Sequence, residues 1–139
     1  MALKNTVAAE RKAKKGEGSD DNNNDKKKLV LRKATLRAAD YLGLNNQQLS
    51  EILKVSAATI SRIRNGGDYY FNLDSNEADK SLLLIRIYQS LYALIGEDKE
   101  QIRKWLNNET IYLNCSPIDA MKKTTGVVNV TEYLDAMRG

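Results

Sequence analysis

The sequence predicts an all-α fold, and three features of its residue pattern support this class. No segment of the chain shows the strict apolar and polar alternation that is typical of a half-buried strand. Apolar residues recur instead at three- and four-residue spacing, as they do along one face of a helix. Glycines and side chains that favour helix N-termini divide this pattern into segments of helical length.

The N-terminal segment, residues 1–28, is predicted to be a disordered basic tail. From residue 12 onward it contains no apolar side chain beyond Ala13, so it cannot bury enough surface to offset the entropy lost on ordering. This tail is either a solvated segment without a partner or a basic arm that contacts DNA phosphates, and we favour the solvated segment. The first predicted helix begins near Leu29 and stops at Gly43, with an apolar face formed by Leu31, Ala34, Ala38 and Leu42.

Two short amphipathic helices are predicted next, with almost nothing between them. Asn45 or Asn46 caps the first helix, and Ser56 caps the second. The connection is so short that the helices must cross steeply, and Lys54 within it must adopt a left-handed or distorted turn. This arrangement is the helix-turn-helix, whose second helix can enter the major groove of DNA. The apolar positions that join the two helices are Leu49, Ile52, Leu53, Ile60 and Ile63.

The outward face of this motif is thin and polar, as a surface that reads DNA requires. Arg62 is best placed on it to make a bidentate contact to guanine. The charge distribution agrees, because residues 1–72 hold fourteen Lys and Arg against eight Asp and Glu, whereas residues 73–139 hold eight against ten. A helical hairpin that only buries its own leucines is the alternative. The predicted DNA-binding residues are Asn46, Gln47, Ser56, Ala57, Ala58, Thr59, Ser61, Arg62 and Asn65.

The predicted helix-turn-helix domain spans residues 29–67, a linker spans residues 68–76, and a second helical domain spans residues 77–139. Three aromatic residues of the linker could stack on bases, but we expect them to pack the joint between the two domains. The long helix from Glu77 to Ile95 is apolar around much of its girth, so it must be buried on more than one side. We expect a second copy of the chain to cover one side, in a homodimer held by Leu84, Ile87 and Leu91.

The C-terminal region is predicted to hold shorter helices around a loop. The loop, residues 107–115, contains the apolar run Ile111-Tyr112-Leu113. Ser116-Pro117 then starts a helix, with the serine as N-cap and the proline at the first helical position. After Gly126 the last helix is amphipathic, and its predicted inward-facing residues are Val127, Val130, Leu134 and Met137.

Composition disfavours several classes of function. The chain has no histidine and one cysteine, Cys115, and no group of residues supplies a nucleophile with a base. We therefore expect no enzymatic activity, no bound metal and no cofactor. A lone cysteine suits a reducing cytoplasm. No run approaches the ~20 apolar residues that span a bilayer, so we expect a cytoplasmic protein that does not act at a membrane.

A series of motifs, in one order, carries a resemblance to a known family. After the helix-turn-helix come Leu83-Leu84-Ile85-Arg86-Ile87-Tyr88-Gln89-Ser90-Leu91, Gly96, Trp105-Leu106, Pro117-Ile118-Asp119, Gly126 and the ending Tyr133-Leu134-Asp135-Ala136-Met137-Arg138-Gly139. From about residue 29 to residue 139 the chain resembles the Xre/MbcA/ParS-type antitoxins. The ending is the most selective part of this resemblance, because many repressors share the helix-turn-helix.

The resemblance implies an antitoxin of a type II toxin–antitoxin system with two roles. It would bind and neutralise a RES-domain toxin that consumes NAD⁺, and as a homodimer it would repress its own operon at an inverted repeat in double-stranded operator DNA. The toxin-binding residues that we expect are Asp135, Met137, Arg138 and Gly139. Two alternatives remain open. One is a repressor whose C-terminal half serves only dimerisation or senses a small molecule, and the other is an adaptor that no longer binds DNA.

Overall fold

The computed structural model describes residues 15–66 and 71–139, with side chains from residue 22 onward, and these ranges fold into helices without a named strand. An isolated bridge pairs Thr110 with Cys115. The predicted all-α class is therefore confirmed. The helices are α1 (Lys15–Leu42), α2 (Asn46–Leu53), α3 (Ala57–Arg64), α4 (Asn76–Ile95), α5 (Lys99–Asn107), α6 (Pro117–Met121) and α7 (Gly126–Arg138).

Helix α1 corrects the prediction of a disordered tail, because it begins at Lys15 and makes residues 15–28 helical. The other part of that predicted tail, residues 1–14, lies outside the described residues. Residues 22–27 are exposed, so burial does not explain their helical state. The physical reason is that Leu31 and Ala38, farther along α1, are buried and hold the helix in place. Once a helix exists, extending it fixes one residue for each hydrogen bond gained.

Helix α4 is the centre of one hydrophobic core that runs through the whole described chain. It packs against α1 and α7, and it also contacts α2 and α5. Leu84, Ile87 and Leu91 on α4 are fully buried within this single chain. They cannot contact another copy, which corrects the prediction that they hold a homodimer together. The apolar girth of α4 correctly indicated burial on several sides, but the covering helices belong to the same chain.

Local capping explains where the helices begin and end. The amide N–H of Gln48 donates to Asn45 Oδ1 over 2.8 Å, and the Gln48 side chain accepts from the Asn45 N–H over 2.9 Å, which forms a capping box at α2. Ser116 caps α6, whose first residue is Pro117, as predicted. Gly43 ends α1 with a φ of 70°, a conformation that costs glycine little.

The ends of α1 and α4 are tied together by an aromatic cluster. The hydroxyl of Tyr41 donates to the carbonyl of Gly96, and the Tyr41 ring contacts Tyr88 at a centroid distance of 4.8 Å. Burial raises the pKa of Tyr41, and Tyr88 and Tyr92 raise it further. Phe71 is fully buried, in agreement with a packing role for the linker aromatics. Its neighbours Tyr69 and Tyr70 lie outside the described residues.

The C-terminal helices approach each other closely at Gly126. A Cβ atom at this position would lie 1.3 Å from the carbonyl oxygen of Ala120 and 2.3 Å from its carbonyl carbon. Both atoms belong to the backbone, so they cannot rotate away as a flexible side chain could. Glycine is thus required where α7 begins against α6. Within the described ranges, no helix is long and apolar enough to cross a membrane.

Candidate functional site

The turn between α2 and α3 is held by short-range hydrogen bonds. Lys54 adopts the left-handed conformation (φ 62°, ψ 43°), as the short connection requires. The Ser50 hydroxyl donates to the Val55 carbonyl over 2.6 Å, and the Ser56 hydroxyl accepts from the Thr59 N–H over 3.1 Å. These bonds set the crossing of the two helices, so the predicted helix-turn-helix is present in the structure.

The outward face of α3 is small and polar. Ile60 and Ile63 are buried on the inner face, whereas Ala57, Ser61 and Arg62 are exposed. Small side chains allow the helix backbone to approach the floor of a groove closely. Arg62 combines exposure with the donor geometry that reads guanine in a major groove. This face is suited to DNA recognition.

The second arginine of α3 has a different role, because Arg64 connects three parts of the fold. Its Nε donates to Asn46 Oδ1 over 2.6 Å, its Nη1 forms an ion pair with Asp40 over 3.0 Å, and its Nη2 donates to the Leu44 carbonyl over 3.4 Å. Arg32 on α1 adds a bond of 3.1 Å to the Ile63 carbonyl. The end of α3 is thereby fixed relative to α1 and the start of α2.

The end of α7 is attached to α4 by two polar contacts. Arg86 Nη2 lies 2.6 Å from Asp135 Oδ2, and Arg138 Nη1 donates to the Ser90 hydroxyl over 3.0 Å. Met137 lies between these two α7 residues in sequence but is 50% exposed. The last turn therefore has a fixed position while it still presents an apolar side chain to solvent.

The loop between α5 and α6 presents two large apolar residues. Ile111 is 98% exposed and Tyr112 is 61% exposed. The Tyr112 ring stacks on the ring of Tyr133 in α7 at a centroid distance of 5.1 Å and an interplanar angle of 29°. The apolar run that the sequence shows in this loop is therefore turned outward at its first two residues.

The helix-turn-helix also touches the connection between α6 and α7. Lys54 Nζ donates to the Lys122 carbonyl, and Lys122 Nζ lies 3.6 Å from Glu51 Oε1. Farther along, Lys80 Nζ donates to the Thr124 carbonyl over 3.4 Å. We call residues 122–124 and their partners Glu51, Lys54 and Lys80 the junction.

Two family models match the chain, and together they cover nearly all of the described helices. The antitoxin Xre-like helix-turn-helix domain matches residues 25–87, and the antitoxin Xre/MbcA/ParS C-terminal toxin-binding domain matches residues 90–139. The chain belongs to the Xre/MbcA/ParS antitoxins. No curated protein matches it. The two matches also show that DNA-binding and toxin-binding domains follow each other here as the resemblance implied.

The antitoxin exposes most of its predicted DNA-binding residues. Asn46 and Thr59 are the partly buried members of the set. The Asn46 carboxamide oxygen accepts from Arg64, and the Thr59 hydroxyl lies 2.9 Å from the Ser56 hydroxyl. Both side chains are thus engaged in holding the motif, and contact with DNA stays a prediction for the whole set. The exposed members are Gln47, Ser56, Ala57, Ala58, Ser61, Arg62 and Asn65.

The predicted toxin-binding residues are brought together at one end of the antitoxin. Asp135 and Arg138 are partnered with α4, Met137 is half-exposed, and Gly139 ends the chain. The inward packing predicted for α7 is correct for Val127, Val130 and Leu134 and incorrect for Met137. Ile111 and Tyr112 are not among the predicted toxin-binding residues, although an apolar run between two helices was the available signal.

Within the described residues, no group of three or more His, Cys, Asp and Glu side chains is arranged to hold a metal ion. Cys115 is partly buried, its thiol lies 3.5 Å from the Leu113 carbonyl, and Lys123 Nζ is 3.8 Å from its sulfur. The matched families are regulatory.

Proposed function

We propose that this antitoxin binds and neutralises a RES-domain toxin that consumes NAD⁺, and that it represses its own operon by binding DNA. The observation that carries the proposal is the presence of two separate exposed surfaces on one continuous hydrophobic core. One is the polar outer face of α3, and the other lies at the end of α7. In support, the corresponding parts of the chain match models of an antitoxin helix-turn-helix domain and of an antitoxin toxin-binding domain.

In the proposed repression, α3 enters the major groove and Arg62 reads a base pair. The N-terminus of α2 faces a phosphate, because the dipole of a helix favours negative charge at that end. Gln47 is exposed in this first turn and can donate to the same phosphate. The Arg64 contacts keep these two elements in a constant relation, so both can engage the duplex without rearrangement.

Recognition of an inverted repeat requires a dimer with two copies of α3. Because Leu84, Ile87 and Leu91 are covered internally, we place the dimer contact at an apolar groove between α1 and α4. Val30 and Leu82 are 65% and 56% exposed beside this groove. Lys26 and Lys27 line its α1 side, and the exposed Asp79 lies one turn before Leu82 on α4. In a two-fold arrangement the basic side of one copy would meet the acidic side of the other.

In the proposed neutralisation, the end of α7 covers the NAD⁺ site of the toxin. Such a site must recognise phosphates and should be partly cationic, so the carboxylate of Asp135 could cover it. Asp135 would first have to exchange its partner Arg86. Arg138 could pair with a toxin carboxylate near the entrance, which would replace its contact with Ser90.

Truncation after Ala136 tests this role. It removes Met137, Arg138 and Gly139, which are all exposed, so the fold and operator binding should persist while neutralisation weakens. The measurement is co-expression with the product of the adjacent gene, followed by cell growth and NAD⁺ level. Full protection by the truncated chain at normal abundance would place the inhibitory contact elsewhere. No toxicity from the adjacent gene product would contradict the proposed partner itself.

A further inference from the structure

The α5–α6 loop carries the most exposed large apolar side chain among the described residues. Ile111 is 98% exposed, so it contributes almost nothing to the core of the chain. A large apolar residue held in water gives the folded chain no burial energy, and exposed apolar clusters commonly mark binding sites. Tyr112 beside it is 61% exposed and enlarges the apolar area.

The loop is held in one shape by its own hydrogen bonds. The Thr110 N–H donates to the Cys115 carbonyl over 3.1 Å, and the Asn114 N–H donates to the Thr110 carbonyl over 2.9 Å. The Leu113 N–H donates to the Thr110 hydroxyl over 3.0 Å. Asn114 turns the chain with a φ of 64°, a conformation that asparagine tolerates better than most residues. Ile111 is therefore presented outward by a closed loop, and little ordering entropy remains to be lost on binding.

The exposed residues of the loop are continuous with the outer face of α7. Tyr112 stacks on Tyr133, and Met137 follows Tyr133 by four residues, which places both on the same side of the helix. The row Ile111, Tyr112, Tyr133 and Met137 thus leads from the loop tip to the last residues of the chain. We call these four residues the apolar row.

We propose that the apolar row is a toxin-contact surface, with Ile111 as an anchor that inserts into an apolar pocket of the toxin. The inference rests on the proposed function and extends it from the end of α7 to the α5–α6 loop. The whole row lies within residues 90–139, the part that matches a toxin-binding domain. DNA is a poor occupant, because residues 110–115 carry no charged side chain and DNA binding requires cations.

The test compares three variants by titration calorimetry against the purified product of the adjacent gene. Ile111→Asp places a charge in the apolar pocket and should weaken binding roughly 10- to 100-fold, the usual range for an interface anchor. Ile111→Leu should bind nearly as the unaltered chain does. Val128→Asp is the matched control, because Val128 is also an exposed residue of this domain but lies on the opposite side of α7 from Tyr133.

The outcomes separate this inference from the proposed function. Selective weakening by Ile111→Asp, with unchanged operator binding and thermal unfolding, supports the apolar row. Wild-type affinity in Ile111→Asp would overturn it and leave toxin binding in place, and so would equal weakening by Val128→Asp. A lower molecular mass of Ile111→Asp in light scattering would show that a second copy occupies the row instead. Failure of the unaltered chain to bind the gene product would overturn the proposed function together with this inference.

Discussion

The antitoxin presents two surfaces of opposite chemistry on one small core. The outer face of α3 carries alanines, serine and the cation Arg62, whereas the apolar row carries isoleucine, tyrosines and methionine. A DNA interface is polar and depends on counterion release, so its affinity falls steeply with salt. A protein interface built on buried apolar anchors depends on desolvation and is less sensitive to salt. Under the proposed function, DNA and toxin would bind chemically different surfaces of one core and so would not compete for the same residues.

Gly126→Ala is the change with the largest expected effect, and it tests whether both surfaces depend on one shared core. Its Cβ atom would overlap the Ala120 backbone, so α6 and α7 must separate. We expect the free energy of unfolding to fall by about 3 kcal/mol or more, beyond the usual cost of overpacking. Urea titration measures this loss of stability. Because the core is continuous, binding assays should show that operator binding and toxin binding are lost together.

Gly43→Ala is the matched glycine control. A Cβ atom at Gly43 meets nothing within 4 Å, and the strain arises from its φ of 70° alone. Its cost should be about 1–2 kcal/mol. Full operator affinity in Gly126→Ala, with toxin binding abolished, would contradict a shared core and show that the two parts fold separately.

Leu82→Asp tests the proposed dimer on which the DNA side of the comparison depends. A charge in the α1–α4 groove should leave the fold intact, since Leu82 is 56% exposed, but it should prevent association. Light scattering at micromolar concentration should change from twice the mass of one 15.6 kDa chain to that mass. Operator affinity should fall roughly 100-fold because two linked half-site contacts become one. A single-chain mass for the unaltered protein would remove the dimer from the proposal.

Arg62→Ala is expected to have the smallest effect, and it tests whether the outer face of α3 reads a base pair. The loss of a bidentate contact should cost about 1–3 kcal/mol of specific binding and relax the preference at one base pair. Arg103→Ala, at an exposed arginine of α5, serves as the control and should change neither binding activity. Operator variants in a shift assay provide the measurement. An equal loss on every DNA sequence would mean that Arg62 contacts phosphate only.

The helix-turn-helix could be predicted in detail because its determinants are local. Asn45, Ser50 and Ser56 act through partners no more than five residues away, and so does the backbone N–H of Lys54. Apolar spacing identifies the inner faces of α2 and α3. The residues that lie between the apolar positions must then form the outer face. The bracing role of Arg64 was not predictable in this way, because Asp40, Leu44 and Asn46 reach it only through the tertiary fold.

The C-terminal half was less predictable because its features depend on distant contacts. The pattern of α4 showed that Leu84, Ile87 and Leu91 are buried, but a pattern does not reveal whether the covering surface is α1, α7 or another chain. The orientation of Ile111 and Tyr112 depends on loop closure and on stacking with Tyr133. Hydrophobicity alone does not show which way this run faces. Met137 was predicted to pack inward but is half-exposed, because residues 136–139 at the end of α7 all lie outside the core.

The junction joins the turn of the helix-turn-helix to the connection that leads into α7. Glu51 and Lys54, beside the turn that orients α3, contact Lys122, and residues 122–124 lead directly into α7. A partner that displaces residues 122–124 must therefore alter the contacts that support the turn. Thermodynamic linkage then fixes the magnitude in both directions: the factor by which toxin changes the affinity for operator equals the factor by which operator changes the affinity for toxin.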